Sequence, residues 1–178
     1  SNLVGNLPLE QAMQAEFDKL GPVPFEKEDE AFANQIRKTL TTDDIAASFQ
    51  RAGRETPPDL PLCDFVAPLV RPSHGGEGST DVGDVSWVTP TVQARVATCA
   101  VGTPFHTWQT VAQGKAPVAH KGMVHAAKVM AATATHLINS PETLRAARDV
   151  HDKRQQTTPY LCPIPQDVKP PVVEAPSL

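Results

Sequence analysis

Few cysteines, few aromatic residues and no long apolar run set the first limits on this chain. Its three cysteines, Cys63, Cys99 and Cys162, lie far apart, and they fit neither a zinc knuckle nor a redox pair. An odd, sparse set of thiols suits a reducing compartment better than a disulfide-stapled secreted domain. No stretch of about 18 apolar residues occurs, so no membrane-spanning helix is expected, and no charged-then-apolar leader points to secretion. The 16 basic residues stand against 20 acidic ones, for a net charge of −4, and they neither cluster nor alternate with aromatics. Nucleic acid is therefore not an expected partner. Together these absences read as a soluble, cytoplasmic protein with no nucleic-acid and no membrane partner.

What is present reads as globular. Hydrophobic residues make up 40% of the 178 positions and charged residues 20%, enough for one domain that buries about 70% of its unfolded surface. The 18 prolines gather in connectors and at the C-terminus. The stretch 158–178 is too proline-rich for helix or strand and is expected to lie extended over the surface.

Helical periodicity runs from Leu9 to Leu20, with Met13, Phe17 and Leu20 on one face, and stops at Gly21-Pro22. A second helix is expected from Glu26 to Leu40, with an acidic first turn that suits the positive end of a helix dipole. Thr41 with Asp44 three residues later forms a capping-box pattern for a third helix ending near Gly53. "DVGDVSWV" reads as a short helix or turn. The longest helix is expected over Ala116–Asn139, buried through Met123, Ala127, Met130, Ala134 and Leu137. Gly122 and the surrounding alanines imply that a sheet or another helix approaches this helix closely. Ser140 and Pro141 open a last helix that runs to about Gln155.

Between these lie two strand-like runs. Residues 63–70, "CDFVAPLV", have strand length, although Pro68 argues against a central position. Residues 90–100 alternate through Val92, Ala94, Val96 and Thr98 and predict a central strand. Four to five helices with few strands predict an α/β fold, its helices packed on a small, mostly parallel sheet.

The six histidines are His74, His106, His120, His125, His136 and His151. His120 and His125 stand about 140° apart around a helix, so they do not chelate one metal. His120, His125, His136 and His151 read as surface or packing residues, and His74 lies in a glycine-rich loop. "GEGSTDVGDVSW" places Ser79, Thr80, Asp81 and Asp84 at a loop-to-helix junction, where backbone N–H groups either hold a substrate carboxylate or are capped by the side chains themselves. A hydrolytic set of Ser79, His106 and Asp84 lacks the G-x-S-x-G elbow. His106 follows a strand-like run by a short loop, a place where α/β proteins put their sites. A lone histidine is nonetheless short of the three or four donors that zinc needs.

"GSTDVGDVSWVTPTVQ", "VGTPFHTWQTVAQG", "AHKGMVHAAKVMAATA" and "YLCPIPQDVKPP" are collinear with a known pattern. With "FDKLGPVPFEKEDEAFANQIRKTLTTDDI" they extend it over nearly the whole chain from Leu3. The chain resembles the C-terminal part of the metallopeptidase family that holds aminoacylases, glutamate carboxypeptidases, auxin-conjugate amidohydrolases and aminobenzoyl-glutamate hydrolases. The resemblance implies a zinc-exopeptidase-like three-layer catalytic domain, of which residues 1–178 are one partial unit. It further implies a two-metal hydrolase, using manganese or zinc, that cleaves amide bonds of N-acyl amino acids. One such substrate is p-aminobenzoyl-glutamate, cleaved to p-aminobenzoate and glutamate as in folate catabolism. The family's last metal ligand is a histidine in a G-x-x-x-H turn, which His106 matches. Ser79, Thr80 and Asp81 match a substrate-binding rim.

The family's other ligands and its catalytic glutamate find no match, because neither an H-x-D motif nor a Glu-Glu pair occurs here. The inserted lid and dimerisation domain is unmatched too. The implied role is one metal ligand and part of the rim, in a chain inactive alone, with a homodimer or a paralogous subunit in the parent. The other reading is a non-catalytic binding or interaction domain derived from the same family. If the missing half normally completes the sheet, a strand edge or an apolar patch is expected to stand uncovered and to favour self-association, as a dimer in which the patches meet.

Overall fold

The computed structural model describes residues 2–52, 60–69, 80–165 and 167–169. Among these, seven helices follow in order: α1 (Leu7–Leu20), α2 (Lys27–Arg37), α3 (Thr42–Arg51), α4 (Asp81–Val88), α5 (Trp108–Gln113), α6 (Pro117–Ile138) and α7 (Pro141–Thr157). No strand occurs among the described residues, so the expected α/β architecture is wrong and the described fold is all helical. The runs 63–69 and 90–100 carry no sheet pairing. A strand exists only through its hydrogen-bonded neighbour, and alternation of side chains does not supply one.

Helix ends follow local chemistry. Asn6 caps α1 by accepting from the Leu9 N–H at 3.4 Å, and its amide donates to the Ala147 carbonyl at 2.8 Å. Gly21, at φ 72°, ends that helix by donating to the Phe17 carbonyl. Thr41 and Asp44 form the expected capping box of α3, each bonding the other's backbone N–H at 3.1 Å. Ser140 stands at the N-cap of α7, but its side chain makes no capping bond.

Helix α1 packs on both α6 and α7, burying Leu9, Ala12, Met13 and Glu16 at three- and four-residue steps. A second cluster joins Ala33 and Ile36 of α2 to Leu62, Ala100 and Val118, with Phe25 and Phe32 against it. Lys121 on α6 ties this side together by pairing with Asp29 at 2.5 Å and Glu26 at 2.8 Å.

The buried face of α6 differs from expectation. Val118, Gly122, His125, Val129 and Thr133 point inward, whereas Met123 and Met130 are 61% and 59% exposed. The two stripes lie roughly 120° apart around the helix. Hydrophobicity singles out the methionines, but the packed face takes small, β-branched and ring side chains instead. Thr133 returns its hydroxyl proton to the Val129 carbonyl at 2.8 Å, and the His125 ring lies 6.4 Å from that of Phe17.

Glu16 accepts from Lys19 at 2.7 Å and contacts His136 Nδ1 at 2.8 Å. The Lys19 bond first, and the His136 bond next, hold its carboxyl below the ordinary 4.5 despite its burial. A lowered carboxylate pKa contributes stability that is present above the unfolded value and is lost as pH falls through the folded one. Urea midpoints are therefore expected to fall as pH drops below 4.5, and to fall less steeply in Glu16→Gln. Equal slopes in the two proteins would refute the role given to this pair.

Candidate functional site

The turn leading into α5 is built around one buried amide. The Gln113 side chain, 1% exposed, accepts from the Ala100 N–H at 2.7 Å and donates to Thr103 Oγ1 and to the Gln109 carbonyl, each at 3.0 Å. Thr103 in turn donates to the Ala100 carbonyl at 2.7 Å. Thr107 and Thr110 both donate to the Pro104 carbonyl, at 2.8 and 2.6 Å. Outside the turn, Val101 N–H reaches the Pro61 carbonyl at 2.9 Å and Gly102 N–H reaches Ser48 Oγ at 3.1 Å. Gly102 sits at φ 95°, and a Cβ there would come within 2.7 Å of Ile45 Cγ1. Only glycine fits that seat.

His106 is held by this frame in an uncommon conformation. At φ 62° it is the one non-glycine residue with positive φ among the described residues. Left-handed backbone at such a residue costs on the order of 1 kcal/mol and persists where the surroundings impose it. Its side chain is exposed, and no hydrogen bond to its ring occurs among the described residues. Phe105, Trp108 and Val111 flank it at 73%, 61% and 79% exposure. A free imidazole, rigidly mounted between exposed apolar groups, is a donor available to a ligand. No group of three His, Cys, Asp or Glu side chains able to hold a metal occurs among the described residues.

Ser79 lies outside the described residues. Thr80 is the N-cap of α4 and accepts from the Val82 N–H at 3.3 Å, so its hydroxyl has the capping role. Asp81 is exposed in the first turn of that helix. Neither Thr80 nor Asp81 shares a hydrogen bond or ion pair with His106. Asp84, part of the serine-hydrolase arrangement, accepts from the Tyr160 hydroxyl at 2.8 Å. That bond, helped by desolvation, pushes the Tyr160 phenol up to about 12. The Tyr160 ring also stacks on Trp87, 6.4 Å away.

The other histidines hold structure or face solvent. His151 is buried and donates from Nε2 to the Trp87 carbonyl at 3.2 Å, a carbonyl that Gln155 also reaches. His125 and His136 pack as described above, and His120 is exposed. His74 lies outside the described residues. Sequence reasoning missed Gln113 because a glutamine one residue before a glycine looks like a solvated helix end. Nothing in its neighbours announces a buried amide.

No family model matches the chain, and no solved structure matches it. Among the described residues no helix is long and apolar enough to cross a membrane. The chain is 41% identical, across an alignment of 184 positions, to a subunit of the p-aminobenzoyl-glutamate hydrolase of Escherichia coli strain K12. That alignment takes in 96% of this chain and 37% of the bacterial protein, so the chain spans little more than a third of its relative. The stretch holding the His106 turn, the α4 cap and the long helix α6 is thus related in sequence, almost end to end, to part of a hydrolase component.

Proposed function

We propose that this chain works as part of a longer amide hydrolase that cleaves p-aminobenzoyl-glutamate or a similar N-acyl amino acid. The observation that carries this reading is the 41% identity along 96% of the chain to a protein named for that hydrolysis. The chain's own contribution is the His106 turn: a rigid frame that presents an imidazole to the substrate side, between apolar groups that thin the water around it. Thr80 and Asp81, with Ser79, would border the acyl amino acid at the N-terminal end of α4, where backbone N–H groups favour a carboxylate.

A divalent metal, when bound in such hydrolases, supplies an activated water and polarises the amide carbonyl. The described residues do not fit a metal centre by themselves, because no three His, Cys, Asp or Glu side chains come together among them and one imidazole is a single donor. In this reading His106 is one ligand, and the rest of the hydrolase supplies the others and the general base. The isolated chain would then be inactive, and a paralogous subunit is a natural partner because the relative is itself named as one component of its hydrolase. Incubating the full-length protein with p-aminobenzoyl-glutamate and manganese or zinc is expected to release p-aminobenzoate, while the 178-residue chain releases none. Release by the purified 178-residue chain, or none by the full-length protein in the presence of its paralogous partner, would overturn the proposal.

A further inference from the structure

Helix α6 has a second apolar face that nothing in the described fold covers. Met123, Ala127, Met130, Ala131, Ala134 and Ile138 recur at three- and four-residue steps, and every one is exposed. Ile138 reaches 76% exposure. The stripe runs about 22 Å along the helix at 1.5 Å per residue. Its charged neighbours Lys121 and Lys128 lie off it, so no ionic group breaks it. Another face of the same helix, roughly 120° around it, is already buried against α1 and α7. A helix apolar on both sides is one that is covered on both sides. Contiguous exposed apolar surface of this kind marks an interface.

We infer that this stripe is the seat of another segment of the longer hydrolase, one that presents an apolar face of its own. The inference rests on the reading that the chain is part of that hydrolase, whose bacterial relative extends well beyond the 37% matched here. The residue types fit such an occupant. Three alanines alongside two methionines make a shallow seat that lets another element approach closely, and the flexible methionines fill the gaps along its edge.

Peroxide footprinting of Met123 and Met130 tests the inference without reading activity. In the 178-residue chain both thioethers are expected to oxidise at the rate of free methionine. In the full-length protein both are expected to oxidise at least about tenfold more slowly, because the seated segment shields them. Met130→Lys is expected to leave the melting temperature of the isolated chain unchanged and to lower that of the full-length protein. Equal oxidation rates in the two proteins would overturn the proposal. So would protection that rises with the concentration of the isolated chain alongside a dimer in sedimentation, since the occupant would then be a second copy. A full-length protein with shielded methionines and no hydrolase activity would sink the functional reading and leave this one standing.

Discussion

A full-length enzyme carrying His106→Asn is expected to lose turnover by at least about a hundredfold, together with bound metal, while its fold is preserved. Asparagine tolerates the left-handed backbone better than most residues, so the turn keeps its shape while the imidazole is gone. Under the proposed function His106 is a metal ligand, and losing a ligand costs more than the ten- to hundredfold typical of a supporting partner. The companion variant separates ligand from backbone. His106 is held at φ 62°, and glycine adopts that conformation without steric cost. His106→Gly is therefore expected to match or exceed wild-type stability, by up to about 1 kcal/mol, while being equally inactive. Metal content by elemental analysis, urea midpoints and p-aminobenzoate release give the three readouts. Unchanged metal content and rate in the asparagine variant would remove His106 from the site.

Gly122→Ala is expected to destabilise the chain by about 1–2 kcal/mol, because an overpacking cost of up to about 3 kcal/mol outweighs the roughly 1 kcal/mol by which alanine is the better helix former. A methyl group at this position would collide with the Ala97 carbonyl oxygen and lie 2.8 Å from Thr98 Cγ2. The first of these is backbone, so no rotamer change relieves it, and the segment around Ala97 must lift off α6. Gly114→Ala is the control, since its added methyl would meet nothing closer than 3.5 Å. That variant is expected to be neutral or slightly stabilised, because alanine restricts the unfolded chain. Chemical denaturation of both variants measures the contrast. A neutral Gly122→Ala would mean that residues 97–98 do not cross the helix there.

The sequence reading succeeded where the decisive chemistry is local. The Thr41–Asp44 box, the proline at the start of α7 and the stop at Gly21 each involve residues within a turn of one another, and each end was legible. Gly122 pointed to a close neighbour, but that neighbour is the irregular segment at Ala97 and Thr98 and not the sheet or helix expected. The strand over 90–100 failed for the opposite reason. Burial does alternate there, with Val92, Ala94 and Val96 partly covered and Gln93 and Arg95 exposed, but pairing is non-local and no partner strand occurs among the described residues. The inward face of α6 was misread because a hydrophobicity scale rates methionine above threonine and histidine. It cannot see a hydroxyl bonded back to its own helix. His106 was marked by likeness to a family, and spacing alone left its role open. Its strained backbone, the physical sign that singles it out, is a property of the folded turn.

The bond from the Asn6 amide to the Ala147 carbonyl joins residues 141 positions apart, and Val4 and Asn2 likewise reach Ser86 and Trp87. On the ribosome this imposes an order of events. The first helix leaves the exit tunnel with its cap group facing a partner that has not yet been translated. At about 5–20 residues per second, that partner arrives on the order of ten seconds later. For most of that interval Leu9, Ala12 and Met13 have neither α6 nor α7 to cover them. That face of α1 is therefore a sticky surface for as long as this stretch is being made, and it is covered only once α6 and α7 have both emerged.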